Sequence, residues 1–481
     1  MKKAPSTIAA VVATVVLATA LLVSVPAPTA TAGSVAAELR PIVFVHGFAG
    51  SASQFEAQAM RFASNGYPVD YIAAHEYDTT LGSETADDIW ARLDVLINDM
   101  KAATGADQID LLGHSMGTGL MQGYLNSDPA RAADVAHYVN FDGATAAASP
   151  GGVPTLAVWG AGDTSREITG ATNVYFSNQT HTQVVTSPET FETIYEFFND
   201  EAPQTLNVVG QRAGDVTIQG RAQLFLTNAG VQNATLDIYE VDGATGTRVD
   251  STPEATYEMT GDGSWGPFDA DPSTYYEFVL SRDTGQQHIY LQPFARTNHL
   301  VRLLSSEPDA GVDALWDKGD NHSNLVIIRN KEWWGDQPGE NDILEINGTN
   351  IVNAATAPQS KRAIGMFVYD DGADGVSETS TPIPVFFALP FLTAVDLHLA
   401  ATSPPQDTIS VAVTPRLGAG VETINVPNWA SSTDRVSIQF RDFHVIEAPP
   451  DDPSGDGEGG AQPATAAAAP SAQTTNPAFT G

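Results

Sequence analysis

Ser115 stands between glycines, in Gly113-His114-Ser115-Met116-Gly117. A serine hydroxyl is a weak nucleophile at neutral pH. It needs a base in hydrogen-bond reach, an acid to orient that base, and donors for the oxyanion that its attack creates. Glycines on both sides permit a tight turn and close approach of a following helix, which is what an exposed nucleophile at a strand-to-helix turn requires. The base must follow the last strand of such a unit. His181, in Asn178-Gln179-Thr180-His181-Thr182, stands there. His114 lies inside the turn and is expected to point away from the site, and His75 and His137 read as structural. Two carboxylates compete for the acid role. Asp142 follows a strand ending at Phe141, and Asp163 closes Gly160-Ala161-Gly162-Asp163 after a strand ending at Trp159. Residue type and spacing leave both open. The oxyanion donors are expected from the backbone of Phe48, after His46-Gly47, and of Met116, after the nucleophile.

These residues need a scaffold of strands with their ends in register. The chain supplies one from residue 41 onward. Strands are predicted over 41–45, 69–77, 108–113, 135–141, 155–159 and 173–176, with helices over 53–63, 85–101, 117–126 and 188–199. In the second helix Ile89, Leu93, Leu96, Ile97 and Met100 fall on one face. Alternation of this kind predicts an α/β domain with a mainly parallel sheet. Near Pro203 the period changes to short strands divided by Gly, Asp, Asn and Pro turns, with few helix signals. The expected organisation is a leader over 1–32, a catalytic α/β domain over 33–203, β-rich modules over 204–300 and 301–446, and a disordered tail over 447–481 rich in Pro, Gly, Ala and Asp. Whether the β-rich part is two modules or one larger domain is open in the sequence.

At 481 residues the chain exceeds one ordinary core. Its formal charge of −36 argues against nucleic acid or an anionic membrane as partner, since both require a basic surface. With no cysteine, a disulfide framework, a thiol nucleophile and Cys-ligated zinc are excluded. Lys2 and Lys3, an apolar run from Ile8 to Val25 and Ala30-Thr31-Ala32 match a cleaved secretory leader. A secreted, extracellular protein without a stable membrane anchor is the expectation.

Several segments together resemble the α/β-hydrolase lipases that carry a C-terminal β-barrel domain, known from a thermophilic archaeon. They include Val43-Phe44-Val45-His46-Gly47, Asn65-Gly66-Tyr67-Pro68, Glu76-Tyr77-Asp78-Thr79, Gly113 to Thr118, Phe141-Asp142-Gly143, Ala171 to Phe176, Thr180-His181 and Ser187-Pro188-Glu189-Thr190-Phe191. The resemblance covers nearly all of 41–200 and is mostly architectural beyond that. It implies an esterase or lipase acting on acylglycerols through an acyl-enzyme, with no cofactor. In α/β-hydrolases generally the position of Asp163 is the commoner one for the acid, but in this family the acid matches Asp142. The resemblance therefore selects Asp142, with Asp163 as the alternative. The family's long insertion after Glu-Tyr-Asp-Thr forms a helical lid. Here only Thr80 to Ser83 stands in its place, so the domain is expected to be nearly lidless. An open site also suits bulky esters, including extracellular polyesters. A rival of another class is a surface-binding protein whose hydrolase domain is inert.

Three further features carry less. Asp370-Asp371-Gly372-Ala373-Asp374-Gly375 resembles a calcium loop but lacks the third ligand and the Glu at position twelve, where Thr381 stands, so an acidic turn is expected and no metal. Trp316 and Trp333-Trp334 are expected to pack in a core or at its rim, the alternative being to stack on sugars or cap a lipid groove. Phe386-Phe387 with Leu389, Phe391 and Leu392 is expected to be a core strand, the alternative being part of an acyl-binding surface if the β-rich region covers the active site.

Overall fold

The computed structural model describes residues 39–416 and 420–447. The expected leader lies outside these residues, as does the expected tail beyond residue 447. Strands β1 (Ile42–Val45), β2 (Ile72–His75), β3 (Ile109–His114), β4 (Val135–Phe141), β5 (Thr155–Trp159) and β6 (Thr172–Tyr175) form one sheet in the order β2-β1-β3-β4-β5-β6, and every pair is parallel. Helices α1 (Glu56–Ser64), α2 (Ala86–Thr104), α3 (Met116–Ser127), α4 (Pro129–Ala133), α5 (Gln183–Thr186) and α6 (Pro188–Asn199) accompany it. Period-two alternation puts opposite faces of β1 into different cores. Ile42 and Phe44 join α1 and α6, whereas Val43 and Val45 join α2 and α3. Helix α2 begins with a reciprocal cap between Thr85 and Asp88 and stops at Gly105 in the left-handed region (φ 77°). The strand expected over 69–77 is shorter, because Pro68 opens a 3-10 turn at Val69–Tyr71 before β2 starts.

The β-rich half is built around a nine-stranded mixed sheet. Its order is Ala255–Met259, Ala234–Val241, Tyr275–Arg282, Gly285–Leu291, Asp434–Phe440, Leu325–Arg329, Gly365–Tyr369, Leu392–Asp396 and Glu378–Pro382. A parallel pair, Gly285–Leu291 with Asp434–Phe440, joins the strands of the two expected modules into this one sheet. Strand Asn298–Ser305 crosses residue 300 and pairs with Thr217–Leu224 in a separate three-stranded sheet. One face of the nine-stranded sheet closes a core with strands Ile343–Ile346 and Thr408–Thr414, through Leu325, Ile327, Val368, Val411 and Ile438. The other face packs in part against the three-stranded sheet, through Leu236, Phe278, Ile289 and Ile218, and in part lines a cleft with Val326, Ile328 and Phe367 toward the α/β half. The expected core strand at 386–392 is instead a short helix, Pro384–Phe387, followed by a strand that begins only at Leu392. Pro384 suits the first helical position, and Phe391, at a positive φ of 61°, stands in the turn just before the strand.

No helix among the described residues is long and apolar enough to cross a membrane.

Candidate active site

Strand β3 ends at His114, and helix α3 starts at Met116. Ser115 between them adopts φ 52° and ψ −120°, a strained conformation for a residue with a side chain. Surrounding contacts hold it there. Its amide donates to Phe141 O at 3.0 Å, and its carbonyl accepts from Thr118 N at 3.0 Å and Thr118 Oγ1 at 2.6 Å. Space requires the flanking glycine: a Cβ at Gly117 would lie 2.4 Å from His46 O.

His181 Nε2 lies 2.9 Å from Ser115 Oγ, and His181 Nδ1 lies 2.7 Å from Asp142 Oδ2. With Asp142 ionised, Nδ1 carries the proton and donates it, which leaves Nε2 as the acceptor for the serine hydroxyl. Burial acts to raise the Asp142 carboxyl, but the His181 bond and charge, the Gly160 amide at 2.8 Å and Arg166 hold it down at about 2. Arg166 Nη1 reaches Asp142 Oδ1 at 2.8 Å. Thr118 couples the nucleophile turn to the acid loop, since its Oγ1 also accepts from Ala144 N at 2.7 Å. Asp163 is elsewhere. It is exposed, and Oδ1 accepts from Ser165 N at 2.8 Å in a local turn.

The turn from Gly47 to Gly50 passes directly against Ser115. It is closed by Gly50 N donating to Gly47 O at 3.1 Å, and a Cβ at Gly47 would lie 2.7 Å from Ser115 Cβ. The next amide in that turn is that of Phe48, whose side chain is 38% exposed. Met116 opens α3, so its N–H is among those without an intrahelical acceptor. Beneath the turn, His46 Nε2 meets Glu76 Oε2 at 3.0 Å, Arg302 Nε meets Glu76 Oε1 at 2.7 Å, and the Tyr77 ring stacks on His46 at 4.4 Å. Burial would raise the Glu76 carboxyl, yet Arg302 and His46 keep it far below the usual carboxylate range.

His114 corrects one expectation. Its ring does not turn away. It lies 4.6 Å from that of His181, and Nε2 contacts His181 O at 2.9 Å. The last residue of a strand must face one side of the sheet, and here that side holds the base loop. Burial, then the His181 charge, push the His114 pKa well down, so it stays neutral. His75 and His137 sit in structural contacts, with Ile89 O at 3.1 Å and Asp110 Oδ1 at 2.8 Å.

The site opens on a cleft between the halves. The α/β half contributes Phe48, Ser51, Gln54, His114 and His181. The β-rich half contributes an apolar wall of Phe225, Leu304, Trp316, Val326, Ile328 and Phe367. Phe391 stacks over His181, with ring centres 6.3 Å apart and planes at 11°. No helix stands between β2 and α2. Asp78 closes the segment by accepting from Thr80 N at 2.9 Å and Ser83 N at 3.0 Å. Trp333 and Trp334 lie outside the cleft lining and support the guanidinium groups of Arg329 and Arg416, each at 3.9 Å. In the acidic turn, Asp370 is taken up by His398 Nδ1 at 2.7 Å and Gly375 N at 3.0 Å.

Arg166 and Thr118 were not singled out as site residues in the sequence. Arg166 is one basic residue in a loop, with no periodic signal to tie it to Asp142.

Comparison with known proteins gives three consecutive family matches. Residues 39–131 match a lipase (class 2) model, 214–308 a lipase C-terminal domain model, and 311–444 a model described as a C-terminal domain. Among curated proteins nothing matches. Solved structures that are similar include the product of the lin2722 gene of Listeria innocua, at 14% identity over 35% of this chain and 96% of that one, with a TM-score of 0.26. Lipase B of Aspergillus fumigatus is 14% identical over 35% of this chain and 54% of its own, with a TM-score of 0.27. A predicted CIB-like hydrolase of Thermoplasma acidophilum is 18% identical over 34% and 88%, with a TM-score of 0.26.

Proposed function

Because the chain is a lipase-family α/β-hydrolase with a C-terminal β-rich region, we propose that it is a serine carboxylic-ester hydrolase acting on acylglycerols. The observation that carries this reading is the continuous line from Ser115 Oγ through His181 to Asp142 Oδ2, opening on an apolar cleft. Ser115 Oγ attacks the ester carbonyl while His181 Nε2 takes its proton. The Phe48 and Met116 amides hold the oxyanion of the tetrahedral intermediate. Its collapse breaks the ester C–O bond, and His181 returns the proton to the departing alcohol. Water then repeats the sequence on the acyl-enzyme and releases the acid. Asp142 orients His181 and stabilises the imidazolium. The apolar wall would receive the acyl chain.

Ser115→Ala is expected to remove p-nitrophenyl ester hydrolysis by about four orders of magnitude or more and to abolish labelling by a fluorophosphonate. Turnover retained in that variant would refute the assignment. An unlabelled wild type would favour an inert binding protein instead. A second reading, hydrolysis of an extracellular polyester by the same residues, is favoured by the lack of any helix between β2 and α2. Faster turnover of a polyester film than of emulsified triacylglycerol would select it.

A further inference from the structure

The β-rich half does more than wall the cleft. Two of its polar side chains bind main-chain atoms of the hydrolase loops beside the reacting groups.

Glu332, just beyond strand Leu325–Arg329, is fully buried. Its carboxylate accepts from Thr180 Oγ1, from Thr182 N at 2.6 Å and from Gln183 N at 3.1 Å. These donors bracket His181 on both sides. The Glu332 main chain is itself held, because its carbonyl accepts from Arg329 Nη2 at 2.8 Å and from Arg416 Nη1. Arg416 Nη2 continues to Gln183 Oε1 at 2.8 Å. Both guanidinium groups share Asp342 and rest on Trp333 and Trp334. The carboxylate is thus seated on a rigid base and aimed at one loop.

Asn228 acts on the other loop. It follows strand Thr217–Leu224 and adopts φ 53°. Its Nδ2 donates to Gly50 O at 2.9 Å and Tyr77 O at 3.2 Å, while Oδ1 accepts from Gln223 Nε2 at 2.7 Å. Gly50 closes the turn that presents the Phe48 amide. Nearby, Leu226 O accepts from both Thr79 N and Thr79 Oγ1.

We propose that Glu332 and Asn228 are positioning residues, through which the β-rich half sets the placement of the base loop and of the oxyanion turn. A buried carboxylate is costly to desolvate and is tolerated where its acceptors are filled. Here they are filled by donors that flank His181 rather than by any convenient surface. A small displacement of a base or an oxyanion donor costs rate far more than it costs stability. The inference rests on the reading of Ser115, His181 and Asp142 given above.

The test uses the full chain and a short soluble ester, with melting temperature, kcat, KM and the rate of fluorophosphonate labelling measured together. Glu332→Gln keeps the side-chain shape but turns one acceptor into a donor facing an amide. Asn228→Gly keeps the positive φ and removes the amide group. Glu332→Gln is expected to lower kcat and the labelling rate roughly 10- to 100-fold, with KM changed by less than about threefold. Asn228→Gly is expected to lower both about tenfold, and the two effects should multiply in the double variant because they act on different loops. Leu236→Ala, in a core of the β-rich half that contains no hydrolase residue, is the stability control. It should lower the melting temperature and leave kcat intact well below it. Glu332→Gln and Asn228→Gly with wild-type kcat, or Leu236→Ala losing kcat in step with stability, would overturn the proposal. If Glu332→Gln does not fold, Asn228→Gly decides by itself. Activity surviving in Ser115→Ala would instead remove the premise, which keeps the two failures distinguishable.

Discussion

The two walls of the cleft are built by opposite rules. On the hydrolase wall the proposed reacting groups stand in loops at the ends of β3, β4 and β6 of one parallel sheet. On the opposite wall the side chains come from strands far apart in sequence. Val326 lies beside Phe367 on one side and Ser437 on the other, and Ile328 beside Gly365. Burial of Leu325–Arg329 alternates residue by residue, with Leu325 and Ile327 in the core and Val326 and Ile328 toward the cleft. The proposed reactivity rests on local turns with positive φ at Ser115 and Asp142. The shape of the cleft depends on the pairing register of a large sheet, where a slip of one residue would exchange core and cleft faces.

Changes on the hydrolase wall should therefore strike the rate with every ester, and changes on the β wall should depend on the acyl group. The largest contrast lies within the first wall. Asp142→Asn is expected to lower kcat by roughly 10⁴-fold by presenting the wrong tautomer of His181, whereas Asp163→Asn, at an exposed turn, should leave kcat unchanged. A larger loss in the second variant would reverse the assignment of the acid.

On the β wall, Val326→Ala with Ile328→Ala should lower kcat/KM for a dodecanoyl ester about tenfold while sparing an acetyl ester. Equal losses for both esters would mean that this wall affects the reacting centre rather than the chain.

The smallest effects belong to acid stability, where both walls contribute. Burial lowers His75 to about 3, so the unfolded chain binds that proton first. The stability it gives is complete above its ordinary value of 6.5 and is lost as the pH falls toward 3. Asp142, Asp313 and Asp342 are held at about 2 against burial, chiefly by His181, by Arg435 and Lys318, and by Arg329 and Arg416. Their contribution is present above the ordinary value of 3.8 and is lost as the pH falls through 2. Calorimetry should show the melting temperature falling by a few degrees from neutral pH toward pH 4 and more steeply below. A flat profile down to pH 3 would contradict the burial of His75 as a neutral ring.

Much of the hydrolase half was legible before its coordinates. Parallel strands buried on both faces leave continuous apolar runs such as Ile42–Val45 and Thr155–Trp159, and a glycine-flanked serine between strand and helix marks its own turn. The β-rich half was less legible. Strands such as Gly285–Leu291 and Asp434–Phe440 pair across a long stretch of chain, and nothing local records a partner. The apolar stretch at 386–392 misled because hydrophobicity reports burial and not the kind of element. Phe386 is core, whereas Phe391 faces His181. Glu332 lies in Arg329-Asn330-Lys331-Glu332, which reads as an ordinary charged loop, and Asn228 reads as an ordinary turn residue.

The sequence by itself determined the kinds of groups available and their order. It placed a serine in a strained turn, a histidine after the last parallel strand, and two carboxylates at strand ends, because spacing along the chain sets what stands at the end of each strand. Tertiary structure decided the rest. It put Asp142 against His181, turned His114 toward the base loop, laid the apolar face of a distant sheet over the site, and brought Glu332 and Asn228 onto its two loops. Each of these depends on contacts between segments far apart in the chain, and such contacts are set by packing and strand register rather than by local pattern.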